Sequence, residues 1–167
     1  MHWLEIETDN CSIQRALSVI GEKWTILILR EAFNGVRRFD QIRGHIGMSD
    51  SLLADRLRKL VAAGVLDAVP YQDPGRRRRN EYRLTEKGLD LYPVMIALMR
   101  WGDRYYADPE GPALIVAHAG CDEPVEAVVE CERGHRLASA AEGRADPGPG
   151  ARARTPAGAG TADGHSP

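Results

Sequence analysis

The chain has 167 residues, 43% of them hydrophobic, and a formal net charge of −2. That suits one compact domain plus an appendage. No apolar run approaches the roughly 18 residues of a membrane span. The first residues, Met-His-Trp-Leu-Glu-Ile-Glu, lack the basic region and apolar core of a signal peptide, so a cytoplasmic protein is expected. Three unevenly spaced cysteines argue against a disulfide framework. The charge is uneven: residues 1–107 carry 17 Lys+Arg against 14 Asp+Glu, and residues 108–167 carry 5 against 10. Within 35–83 the balance is 11 against 6, a local positive excess of the kind that faces phosphate.

In chain order, Cys11–Ile20 reads as a helix capped by Asn10 or Asp9, with Ile13, Ala16, Leu17 and Ile20 on one face. Glu22–Phe33 is apolar on nearly every face and is expected at the centre of the core. Asn34-Gly35 ends it, and Val36–Arg38 is a short extended link. Phe39–Ile46 is a short helix, Gly47-Met48 a tight turn, and Ser49 caps a second helix running to about Ala63. In that helix Leu53, Leu57, Leu60 and Val61 recur at core spacing. Val65–Tyr71 and Asn80–Leu84 read as two strands around a tip of Asp73-Pro74-Gly75 and the run Arg76–Arg79. Helix, turn, helix and basic hairpin together form the layout of a winged helix for duplex DNA.

Thr85 is expected to cap one long helix to about Tyr106, kinked or interrupted at Pro93. Its apolar stripe (Leu91, Met95, Leu98, Trp101, Tyr105) exceeds what so small a domain can cover, which makes it a candidate dimer helix. After a linker at Asp108–Pro112, Ala113–His118 and Pro124–Cys131 read as two short strands. From about Glu142 the chain is Gly-, Ala- and Pro-rich and is expected to be disordered. The fold class is therefore α+β, mainly α. It comprises a winged helix-turn-helix domain with a long C-terminal dimerisation helix (1–107), a small β appendage that could be zinc-ribbon-like (108–141), and a disordered tail (142–167).

The N-terminal turns of a major-groove helix reach base edges, here Asp50, Ser51, Leu52 and Asp55, with Ser49 able to cap the helix and also meet a phosphate. Leu52 could meet a thymine methyl and Asp55 a cytosine amino group, while Arg56 and Arg58 suit backbone phosphates. Arg76, Arg77, Arg78 and Arg79 would supply salt-dependent affinity and minor-groove shape readout, and Arg37 and Arg38 further phosphate contacts. The helix looks weakly specific by itself.

These stretches resemble the HxlR-type winged-helix transcription regulators, relatives of the MarR group. The resemblance rests on Cys11–Glu31, Gly35–Ile42 (GVRRFDQI), Leu53–Leu60 (LADRLRKL), Ala63–Leu66 (AGVL), Glu81–Gly88 (EYRLTEKG) and Trp101-Gly102. It implies a homodimer paired through its N- and C-terminal helices on an inverted-repeat operator, contacted by the motif helices and the wing; the regulator is read as a repressor. Where many relatives carry Lys and Thr, this chain has Ser51 and Leu52, so no operator can be borrowed. Cys11 lies where some members keep a redox-sensing cysteine, at a helix start whose dipole favours an anion. The alternative there is a small structural residue. A thiol- or small-molecule-responsive regulator, acting through Cys11 or a dimer-interface pocket, is the variant reading, and the effector is not identified.

His118-x-x-Cys121 and Cys131-x-x-x-His135 place four zinc-type ligands on two turns. They suit either a zinc site or a metal-free remnant of one. No other cofactor is implied. A thiol or zinc hydrolase on this segment lacks room for a substrate pocket, and no Ser-His-Asp, Cys-x-x-Cys or phosphate-loop pattern occurs, so no enzyme is expected. A winged helix that binds only protein is the remaining rival.

Overall fold

The computed structural model describes residues 2–154. Its elements are α1 (Ser12–Ile20), α2 (Lys23–Phe33), α3 (Phe39–Ile46), α4 (Asp50–Ala62), β1 (Leu66–Tyr71), β2 (Arg79–Leu84), α5 (Glu86–Leu89) and α6 (Tyr92–Tyr106). The fold is mainly helical with one two-stranded antiparallel sheet, as the α+β winged-helix reading expected.

The core sits where α2, α3, α4 and the base of the hairpin meet. Ile28 and Leu29 of α2, Ile42 of α3, Leu53, Leu57 and Leu60 of α4, and Val65 and Leu66 entering β1 are all essentially without solvent contact. The α4 leucines are thus the ones that helical spacing pointed inward. Burying side chains of this kind contributes about 1.5–3 kcal/mol each. Helix α2 is less enclosed than expected: Ile26 and Leu27 are only half-buried and line an open apolar groove with Met95, Leu98 and Met99 of α6 and Leu114.

The core also holds one carboxylate. Glu31 of α2 is 2% exposed and accepts from Arg30 at 2.6 Å, while its other oxygen lies 2.6 Å from His45 Nδ1. A buried charge persists only when it is paired, and this pairing ties α2 to the last turn of α3.

Two glycines make the motif turns possible. Gly47 takes φ 75° between α3 and α4, a left-handed conformation that residues with a side chain rarely adopt. Gly64 takes φ 69° after α4, and Val65 N–H then reaches back to Leu60 O at 2.9 Å to close the helix end. The neighbouring carbonyls are satisfied from the next element: Thr85 Oγ1 donates to Gly64 O and Lys87 Nζ to Ala63 O.

Several expectations are corrected. The N-cap of α1 is Cys11, with no side-chain cap bond, rather than Asn10 or Asp9. The helix expected from Thr85 to Tyr106 is two helices, broken at Asp90-Leu91. Pro93 sits in the first turn of α6, where its missing N–H leaves no helix bond unmade. The two strands expected in 113–131 are absent; isolated bridges at Ala117–Pro124 and Glu130–Arg136 take their place. The chain also stays placed past Glu142. Ile6 bridges Ala153, Glu7 N–H donates to Arg152 O at 2.9 Å and Arg154 N–H to Glu5 O at 2.6 Å. Backbone pairing, which composition does not reveal, holds this part of the tail. Residues 155–167 of the expected disordered tail lie outside the described residues.

Candidate nucleic-acid interface

Helix α4 starts at Ser49, whose hydroxyl accepts from Leu52 N–H at 3.4 Å, and its first turn is open to solvent at Asp50 and Ser51. The hairpin leaves the same side. Phe39, Asp40 and Arg43 of α3, Asp50 of α4, and Tyr71, Arg79, Asn80 and Tyr82 of the wing line one concave groove. Motif helices and wing therefore form one surface. Burial pushes the Tyr82 hydroxyl above its ordinary pKa.

The wing is closed by Arg76 N–H donating to Asp73 O at 3.0 Å and by Gln72 Nε2 donating to Arg76 O at 2.9 Å. Arg76, Arg77, Arg78 and Arg79 are all exposed. Among the described residues, none of the four has a carboxylate within ion-pair distance. Arg37 is also exposed, and its carbonyl accepts from Tyr82 N–H at 2.8 Å.

The other expected contacts are arranged differently. Arg38 forms two bonds of 3.3 Å with the Asp73 carboxylate and lies 4.4 Å over the Tyr71 ring. Arg56, expected on phosphate, is turned inward: its side chain is 13% exposed and pairs with Glu22 and Asp55. Asp55, expected to read a cytosine, is held by Lys59 at 3.1 Å and Arg58 at 3.1 Å. Its hydrogen bond from Lys59, with the surrounding cations, keeps its carboxyl below the usual range. Leu52 is half-buried and packs on the core. Asp50 is paired with Arg43 at 2.9 Å.

Ser51 is thus the one expected reader with neither an ion pair nor a core contact. Arg43, Asp73, Tyr71 and Tyr82 were missed in the sequence. Arg43 could have been suspected as a cation in the last turn of α3; the others carry no local signal, because their partners lie far away in the chain.

The remaining candidates sit elsewhere. Cys11 is half-buried with a free thiol. His118 Nδ1 lies 3.3 Å from Cys121 Sγ. Cys131 is exposed on the neighbouring turn, where backbone N–H groups of Arg133 and His135 draw its pKa below the ordinary thiol value. Among the described residues no group of three or more His, Cys, Asp or Glu is gathered to hold a metal. As placed, His118 and Cys121 lie together, and the four residues His118, Cys121, Cys131 and His135 are not gathered into one ligand set.

Residues 19–110 match the family model described as HxlR-like helix-turn-helix. An HTH-type transcriptional regulator of Mycobacterium tuberculosis (strain ATCC 25618 / H37Rv) is 45% identical over 144 residues, 86% of this chain and 89% of that protein. Among solved structures, PA1607, a candidate transcription factor, superposes with a TM-score of 0.73 at 35% identity, covering 83% of this chain and 95% of that one. The redox regulator HypR in its oxidised form matches at a TM-score of 0.50 and 27% identity, over 56% of this chain and 96% of its own. No helix among the described residues is long and apolar enough to cross a membrane. With the helix-turn-helix, the wing and these relatives in agreement, the chain belongs to the HxlR-like helix-turn-helix family, whose members are transcriptional regulators and not enzymes.

Proposed function

We propose that the protein is a cytoplasmic, homodimeric repressor. Each copy presents the start of α4 to the major groove of one half of an inverted-repeat operator and lays its wing on the flanking backbone. The observation that carries this is the single surface on which the α4 N-terminus and the wing meet, beside four exposed arginines without carboxylate partners among the described residues. Cationic tips of this kind give affinity through phosphate neutralisation and counterion release. Dimerisation is supported by large apolar side chains left in solvent on the terminal helices: Ile13 (71% exposed) and Leu17 on α1, with Val94, Leu98, Trp101 and Tyr105 on α6. Apolar area of that amount on a small domain favours burial against a second copy.

Selection from a randomised pool of duplex DNA with the purified protein tests the reading. Recovery of two related half-sites in inverted orientation is expected. Recovery of unrelated sequences with no salt-dependent retention would refute it.

A thiol-responsive variant of this reading draws on one residue. Cys11 is free, half-buried and placed at the start of α1, and HypR is a redox regulator of similar fold. In that variant diamide modifies Cys11 and releases operator DNA. Release that persists in Cys11→Ser would place the response elsewhere.

A further inference from the structure

We infer that Arg38 is a positioning residue for the wing, clamping the hairpin to the helix-turn-helix through Asp73 and Tyr71 rather than contacting phosphate itself. Three observations converge on one side chain. Its guanidinium meets the Asp73 carboxylate through both terminal nitrogens at 3.3 Å, across 35 residues of chain. It stacks 4.4 Å over the Tyr71 ring, at the last residue of β1. Its own backbone bridges Glu81 of β2, beside the bond from Tyr82 N–H to Arg37 O.

Arg38 is also the N-cap residue of α3. A single residue thus joins the first helix of the motif to both strands of the wing. Asp73 opens the tip turn, since its carbonyl accepts from Arg76 N–H. Holding Asp73 therefore holds the arginine run at a set distance from α4.

An isolated two-stranded hairpin is marginal in water, and a mobile wing must be ordered when it docks. A clamp that orders it beforehand raises affinity by reducing that cost. A planar, forked guanidinium suits both the carboxylate and the ring, and a lysine ammonium cannot reproduce the pair.

This role presupposes the DNA binding proposed above, so the test has one arm with DNA and one without. In full-length protein, Asp73→Asn, Arg38→Lys and Arg38→Ala are compared by titration of mixed-sequence duplex DNA across a salt series. Limited trypsin digestion is followed in parallel at Arg76–Arg79. Both partners are 39% exposed, so the variants should fold, which a thermal melt checks.

The clamp requires that Asp73→Asn weaken binding roughly two- to fivefold, the strength of one exposed ion pair, and that Arg38→Ala, which also loses the Tyr71 stack, weaken it further. Arg38→Lys should behave like Arg38→Ala, the salt slope should stay at the wild-type value, and wing cleavage should accelerate in all three. If Arg38 instead contacts phosphate, removing the competing carboxylate in Asp73→Asn tightens binding, and Arg38→Lys retains most of the affinity. Either result overturns the inference, as does unchanged tryptic cleavage. If the wild-type protein shows no salt-dependent DNA binding, the function proposed above fails and with it the clamp's role in DNA docking. The digestion then still decides whether Arg38 holds the hairpin.

Discussion

Replacing Arg76, Arg77, Arg78 and Arg79 together with alanine should change how binding responds to salt more than it changes the fold. All four side chains are exposed. Arg79 pairs with Tyr71 through the backbone register alone, so the hairpin should survive. Arg76–Arg78 lie in the tip loop and Arg79 begins β2, a spread of directions that puts about half of the run toward DNA. Two wings in a dimer then remove about four phosphate contacts. Each contact contributes about 0.9 to the slope of log K against log salt, so the slope should fall by about 3 to 4. Between about 50 and 200 mM salt, wild-type affinity should therefore drop on the order of a hundredfold more than that of the variant. Fluorescence anisotropy of a labelled duplex over that range measures both slopes. A variant slope within about one unit of wild type would refute the assignment of the wing to phosphate, whatever the absolute affinities.

Arg56→Ala should cost on the order of 1 kcal/mol of stability, through the lost Glu22 pair and stem packing. It should leave the salt slope unchanged, since the side chain faces inward; a slope loss of about one would return Arg56 to the interface. Gly88→Ala should destabilise clearly, by about 1–3 kcal/mol in a denaturant titration, because the new Cβ would run into the Val65 carbonyl oxygen; wild-type stability would contradict that packing. Asp55 has a folded pKa below its ordinary 3.8, so its stabilising share is complete above that ordinary value. That share is lost as pH falls through the lower folded value. Asp55→Asn should flatten that part of the acid limb in pH-dependent melts, and an unchanged limb would contradict the Lys59 and Arg58 pairing.

The motif itself was legible in the sequence because its signals are local. The spacing of Leu53, Leu57 and Leu60, the Gly47 turn, the Ser49 cap and the Pro74-Gly75 tip each act within a few residues, and the elements fall within about one residue of where they were expected. The wing's arginine run was legible for the same reason, as was the surplus of apolar side chains on the C-terminal helix. What the arginines and carboxylates do with each other was not. Arg38 finds Asp73 35 residues away, Arg56 finds Glu22, and residues 152–154 return to Glu5–Glu7. Such pairings follow from how the helices cross and where the chain doubles back, and periodicity carries no trace of either. Sequence alone thus determined that a cationic wing follows a helix-turn-helix. Only the tertiary structure decided which of its charges remain available to a partner, because an ion pair forms wherever folding brings opposite charges together, whatever their separation along the chain.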